Sequence, residues 1–410
     1  MNVIELFSGI GAQAKALEKI NIDYNISVTC DWDINAIIAY DIIHNGPQID
    51  NFYVKEPIEK IDKLIQSLNI SVTGKVPMTD SAKRRMPRNL KDSLLFAIYR
   101  TNNLVDIKNI NARDLGDNIT LMTYSFPCQD LSIAGNWHNN QGGIDRNSGN
   151  RSSLLWEVER LLYERREGEF SLPRFLLMEN VSAILSPKHN ANFMEWQTNL
   201  EELGYINKIL TLDARNFGVP QMRTRTYMLS ILINDLSEEK INAITEHIDQ
   251  LTEENFGDFY PRNAFYIRDV LKTDYSNQTY LKEARYSNPN KTISRIEIQK
   301  DNFEVNEDSY FVHTITTKQD RNPNSGLVNF PIHEENKMPF RYLTPRECFL
   351  LMGFEEKDFQ CILNNDFMIN KSRNFFTRDK LYRMAGNSIC VNVLESIFEL
   401  VNYLNEIVNQ

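Results

Sequence analysis

The chain of 410 residues is 42% hydrophobic and 24% charged, which excludes a mainly disordered polymer and leaves room for two or three domains. Forty-five basic against fifty-five acidic side chains give a net charge of -10, so any nucleic-acid binding has to come from local patches rather than the overall field. The absence of any apolar run near the roughly 18 residues of a membrane span, a start (MNVIELF) without a basic export segment, and five scattered cysteines with no CxxC pair lead to the expectation of a cytoplasmic monomer with no membrane partner, disulfide framework or metal site.

The first thirty residues read as strand, tight turn, helix, strand: VIELF, Ser8-Gly9-Ile10-Gly11, AQAKALEKI, then ISVTC ending at Asp31. In Gly9-x-Gly11-x-x-Ala14 the backbone can approach a ligand closely, and Asp31, twenty residues after Gly11, stands where a carboxylate accepts from ribose hydroxyls. Trp32 follows, where an indole can lie against adenine. The bland alternative is an Asp31 that caps a helix and a Trp32 in the core. A nicotinamide oxidoreductase would look alike here.

Residues 46–104 interrupt the rhythm as an insertion, with Lys83, Arg84, Arg85, Arg88 and Lys91 offered as phosphate contacts. ITLMTYS (119–125), RFLLMEN (174–180) and RTYMLSIL (225–232) then alternate with helical stretches, which predicts a mostly parallel, doubly wound α/β sheet. SFPCQ places Cys128 just past a strand, at the edge where such folds bind ligands, with Pro127 stiffening the approach. A lone cysteine is more often a buried hydrophobe. The run 136–151, NWHNNQGGIDRNSGNR, reads as a mobile surface loop. Glu179 ends an apolar strand, where burial would favour its proton-donating form. In QMRTR, Gln221, Arg223 and Arg225 alternate along a strand, which would aim all three at one face.

From 234 to about 340 the pattern shifts to an acidic amphipathic helix followed by short Asn- and Tyr-rich strands, the core of a smaller domain. Residues 261–300 hold eight Lys or Arg against four Asp or Glu, with Tyr266, Tyr275, Tyr280 and Tyr286 interleaved: a DNA-contacting surface or simply a solvated face. Thr344-Pro345-Arg346-Glu347 has the form of a capping box that starts a structural helix, with Cys348 in the core.

Taken together, ELFSGIGA, Asp31-Trp32, Asp106-Ile107, SFPCQDLS, MENV, QMRTR, RYLTPRECFLLMGF and AGNS (385–388) resemble, in order and spacing, the bacterial DNA (cytosine-5) methyltransferases of restriction-modification systems. Ser8, Ala12 and Asp31 stand where Ala, Gly and Glu are commoner in that family. The resemblance implies a Rossmann-like doubly wound mixed sheet of the S-adenosylmethionine-dependent type, formed by 1–233 plus 386–410, and a target-recognition domain over 234–385. It also implies S-adenosyl-L-methionine as cofactor, double-stranded DNA as substrate and, in the restriction-modification setting, a cognate endonuclease as functional counterpart. Its catalytic set would be Cys128 as nucleophile toward a flipped cytosine, Glu179 as proton donor, Arg223 on the base carbonyl and Arg225 in support. Cofactor contacts would come from Phe7, Gly9, Gly11, Asp31, Trp32, Asp106, Ile107, Pro127, Leu154 and Asn387, and DNA contacts from Gln129, Ser132 and Thr314. An RNA cytosine-5 methyltransferase with the same residues, and a DNA-binding protein with a dead site, are the competing classes.

Overall fold

The computed structural model describes all residues except 128–130, 132–143, 147–151, 301 and 322. Its chain forms two compact units, one of Met1–Leu212, Thr224–Tyr260 and Glu395–Gln410 and another of Asp213–Arg223 and Pro261–Leu394.

Unit 1 is built on β1 (Asn2–Leu6), α1 (Ala12–Lys19), β2 (Asn25–Cys30), α2 (Ile34–Asn45), α3 (Ile58–Ser67), α4 (Asp80–Arg84), α5 (Arg88–Arg100), β3 (Leu121–Tyr124), α6 (Leu155–Glu167), β4 (Phe175–Val181), α7 (Pro187–Glu202), β5 (Tyr205–Asp213), β7 (Thr224–Leu232) and α8 (Glu238–Gln250). The strands lie in the order β2-β1-β3-β4-β7-β5. β1 pairs in parallel with β2 and β3, β3 in parallel with β4, and β7 runs antiparallel to β4. The parallel pairing of β1 to β4 is as the alternation predicts, and the antiparallel β7 makes the sheet mixed, as the resemblance implies. β3 and β4 read as near-continuous apolar runs because both faces are covered. Under one face, Met122, Tyr124, Phe126, Trp156, Phe193 and Trp196 close a core in which the Trp196 indole donates to the Tyr124 hydroxyl. β5, YINKILTLD, went unread in the sequence: its partly buried alternation is diluted by Asn207 and Lys208.

The segment 46–104 is an integral layer of unit 1. α5 packs on α2, and Arg100 clamps the fully buried Asp41 at 2.7 Å. Three of its five proposed phosphate contacts are spent internally. Lys83 is buried and donates to Gln66 O, Lys91 is buried against Asp62 (2.6 Å), and Arg88 pairs with Asp92 while holding the carbonyls of Tyr53 and Glu56. Only Arg84 and Arg85 of the five are exposed.

The units depart from the expected limits. α8 belongs to unit 1, where Lys240 donates to Val408 O and the His247 ring lies 4.4 Å from Tyr403. Residues 213–223 belong to unit 2. Arg378–Asn409 passes for a membrane span by length and composition alone, but its most apolar stretch is 83% buried inside the protein, as in a core helix.

Unit 2 holds a three-stranded sheet of β11 (Phe340–Arg341), β10 (Leu327–Asn329) and β8 (Glu304–Val305), and a parallel pair of β6 (Gln221–Met222) with β9 (Val312–His313). The part expected as strands carries short helices as well as short strands, with Gln278–Ser287 and Ile293–Gln299 each started by a side-chain cap, Asn277 and Thr292. The Thr344 capping box is formed as expected, and Cys348 is fully buried. Its Glu347 also makes a fully buried pair with Arg341 at 2.8 Å and accepts from Lys272 N.

Candidate active site

At the end of β1 the chain turns through three left-handed residues, Phe7, Gly9 and Gly11. Gly11 cannot carry a side chain, since a Cβ there would lie 2.2 Å from His44 Nε2 and 2.7 Å from the Tyr40 ring. The turn is fastened to the end of β2: Asp31 Oδ2 accepts from Gly9 N at 2.9 Å and Oδ1 from Asp33 N at 2.8 Å. The helix cap is Asp33, which accepts from Asn35 N, so Asp31 is not spent on capping. Burial, with Asp33 as a like-charged neighbour, pushes the Asp31 carboxyl up to about 6. Trp32 is half-buried, and its carbonyl accepts from Ser71 N at 2.7 Å. Asp106 accepts from Asn69 and caps its own short turn through Lys108 N; it follows Val105, a β-branched residue held at φ 65. Asn103 Oδ1 accepts from Asp31 N and Val105 N. Asn69, Ser71 and Asn103 support the expected cofactor residues from the 46–104 region, and no motif marks them.

Ile107 is buried in the core with its side chain committed to packing, and Leu154 packs partly against the same cluster. Asn387 ends the helix Arg378–Asn387 of unit 2 and is exposed.

The second cluster lies where β3 and β4 end. Their register pairs Tyr124 with Met178, so the next residues, Ser125 and Glu179, come abreast, then Phe126 and Asn180. Side chains continue the ladder beyond the strands. Ser125 Oγ donates to Glu179 Oε2, and Asn180 Nδ2 donates to Phe126 O at 3.1 Å. Ser152 Oγ donates to Pro127 O at 2.7 Å, so the two carbonyls leading to Cys128 are both held. Glu179 is 8% exposed, and its other oxygen, Oε1, faces Arg225 Nε at 3.4 Å. It is thus buried at the end of its apolar strand, as expected, with polar and cationic partners. Cys128, Gln129 and Ser132 lie outside the described residues, as does nearly all of 136–151. Within that run Ile144 is fully buried, accepting from the Trp156 indole, and Arg146 lies 3.7 Å over the Trp156 ring while pairing with Glu159 and Glu195, which is anchoring the surface-loop expectation did not anticipate.

QMRTR does not present one face. The strand breaks at Arg223, so Gln221 and Arg223 serve unit 2 while Arg225 sits on β7 of unit 1. Arg223 is 4% exposed and donates to three carbonyls, Ile315 (3.0 Å), Ser388 (2.7 Å) and Gly386 (3.3 Å). Gln221 donates to Leu351 O and accepts from Ile315 N. Gly386 lets the chains meet, for a Cβ there would lie 2.4 Å from the Thr316 backbone. Thr314 donates to Met222 O at 2.7 Å. Of the two arginines, Arg225 and not Arg223 stands beside the carboxylate.

A glycine turn fastened to a carboxylate at the end of β2, with two held carbonyls and a bracketed glutamate where β3 and β4 end, is the arrangement expected of an α/β enzyme of the methyltransferase type. The family model for C-5 cytosine-specific DNA methylase matches residues 85–402. The chain is 34% identical to the orphan methyltransferase M.SssI of Spiroplasma monobiae, covering 98% of this chain and 97% of that one, and 31% identical to the type II methyltransferase M2.ScrFI of Lactococcus lactis subsp. cremoris, covering 97% and 98%. Among solved structures it resembles the Schizosaccharomyces pombe Dnmt2 methyltransferase, with a TM-score of 0.60 and 20% identity over 98% of each chain, a likeness of fold. The chain belongs to the C-5 cytosine-specific DNA methylases and is a DNA (cytosine-5) methyltransferase. The oxidoreductase, RNA-directed and dead-site readings give way to it.

Proposed function

We propose that this enzyme methylates carbon 5 of a cytosine flipped out of duplex DNA, with Cys128 as nucleophile, Glu179 as proton donor and Arg225 as the contact to the base carbonyl. The observation that carries the assignment is the bracketing of Glu179 by Ser125 and Arg225 beside the held carbonyls of Phe126 and Pro127, directly before Cys128.

The residues of unit 1 fit S-adenosylmethionine. Each Asp31 oxygen accepts one main-chain N–H and keeps a further lone pair for a ribose hydroxyl, Trp32 is accessible for stacking, and Phe7, Gly9 and Gly11 bend the backbone toward a ligand. When bound, the cofactor supplies an electrophilic methyl group. Ile107 would offer its backbone, and Pro127 and Leu154 complete the proposed contacts of unit 1.

Cys128 adds through sulfur to ring carbon 6, and Glu179 delivers a proton to ring nitrogen 3, which keeps negative charge from building in the ring. Carbon 5, now electron-rich, takes the methyl group; a base then removes its proton, the bond to sulfur breaks and nitrogen 3 gives its proton back to Glu179, which restores the double bond and the acid. Arg225 has five N–H donors, of which Nε faces Glu179 and Nη1 meets Thr224 O, so others serve the carbonyl at position 2. Gln129, Ser132 and Thr314 are proposed DNA contacts, and the exposed Lys282, Tyr286 and Lys291 of unit 2 belong to the recognition surface. The type II names among the relatives support a restriction-modification setting, in which an endonuclease reads the same site without forming a stable complex.

Duplex DNA with 5-fluorocytosine at the target tests the mechanism, since fluorine cannot leave as a cation. A denaturation-resistant, S-adenosylmethionine-dependent adduct is expected at Cys128 by peptide mass, and none with Cys128→Ser, whose hydroxyl is far less ionised. An adduct at Cys30, Cys348, Cys361 or Cys390, or full methylation by Cys128→Ser, overturns the assignment.

A further inference from the structure

We infer that Ser125 is a positioning residue for methyl transfer, holding the Glu179 carboxyl in the orientation from which it delivers its proton; the inference rests on the reading of Glu179 above. Ser125 is the first residue after β3, and the parallel register that pairs Tyr124 with Met178 brings it abreast of Glu179. Its Oγ donates to Oε2, and Arg225 Nε faces Oε1. The two contacts clamp the last torsion of a side chain that otherwise turns broadly about it.

The chemistry of the two partners differs. A guanidinium only donates, so the proton that Glu179 carries belongs on Oε2, away from Arg225. A hydroxyl both donates and accepts, so Ser125 serves that oxygen in either protonation state: it donates to the carboxylate and turns to accept from the acid. Alanine at 125 keeps the backbone ladder and removes this partner. Threonine keeps the hydroxyl.

Single-turnover methylation of a defined duplex separates positioning from packing, with S-adenosylmethionine and DNA affinities and thermal midpoints measured on the same proteins. Ser125→Ala is expected to slow the chemical step roughly tenfold to a hundredfold, the range set by one hydrogen bond to a charged group, with both affinities held. Ser125→Thr should restore most of the rate. In the Glu179→Gln background, Ser125→Ala should change the rate less than about twofold, because a residue that acts through another has no effect once that other is disabled. Multiplicative losses in the double variant, a wild-type rate for Ser125→Ala, or equal losses for Ala and Thr each overturn the inference. A wild-type enzyme that forms no adduct on 5-fluorocytosine DNA would instead sink the underlying mechanism, so the two failures are distinguishable.

Discussion

Residue by residue, the two arginines of QMRTR make opposite predictions. Arg223 holds three buried carbonyls of unit 2, and its removal strands them without donors. Arg223→Ala should therefore lower stability by roughly 3 kcal/mol or more, read as a fall in thermal midpoint. Arg225→Ala should leave the midpoint within a few degrees and slow single-turnover methylation by about a hundredfold or more, as loss of a charge-stabilising donor does. If Arg225→Ala melts the protein while Arg223→Ala merely slows it, the assignment drawn from the contacts is wrong. Beneath the glycine turn lie a fully buried group and a partly buried one with opposed demands. Burial raises Glu5 from 4.5 to about 8 and lowers His44 from 6.5 to about 4. Glu5 folds best protonated, so its contribution is full below pH 4.5 and is lost as pH rises through 8. His44 folds best neutral, so its contribution is full above 6.5 and is lost as pH falls through 4. Glu5→Gln should remove a decline in stability on the order of a few kcal/mol between pH 5 and 9, measured by denaturant unfolding at each pH. An unchanged slope would place that decline elsewhere.

At the level of elements, the strands that carry chemistry were legible because they are apolar runs ending in motifs. ITLMTYSFPC and RFLLMENV announce both the strand and the residue at its end, and the capping box at Thr344 was readable because its two bonds are local. What stayed hidden depends on partners distant in the chain. A charged run reads as solvent-facing until one knows that Asp62 waits for Lys91 and Gln66 O for Lys83. QMRTR reads as one strand because nothing in its residue types reveals that Gln221 pairs with Val312 while Thr224 opens the strand antiparallel to β4. Ser125 was in plain view, yet only the register gives it a partner. These differences change what mutation of the basic segments should do. Replacing Lys83, Arg88 and Lys91 by Ser should destabilise the fold and leave the salt dependence of DNA binding unaltered. The pair Lys282 and Lys291, exposed on unit 2, should instead lose about 0.9 in log-log salt slope for each phosphate contact removed, with thermal stability retained. A slope that responds to the first set and ignores the second reverses the assignment.

Across the molecule, the two units interleave along the chain in a way its order disguises. Unit 2 takes an eleven-residue strip, Asp213–Arg223, out of the middle of unit 1, and unit 1 takes back Glu395–Gln410. Exchanging residues 278–300 for another recognition segment should alter the methylated site, read by bisulfite sequencing, and keep S-adenosylmethionine binding, because the exchange spares β9 and the Ile315 carbonyl on Arg223. Retained preference for the original site would move the reader elsewhere. The returning helix, Val391–Asn409, has a consequence for biosynthesis. Within unit 1 it supplies Glu395 to Lys19 at 2.7 Å, Val408 O to Lys240 and the Tyr403 ring to His247. A ribosome builds the chain in one direction. Pro261–Leu394 must emerge before the rest of this helix can join unit 1, so unit 1 of the nascent polypeptide waits, without its closing segment, until unit 2 is made. A message cut short ahead of that helix leaves unit 1 unclosed and yields a chain for chaperones and proteases to remove.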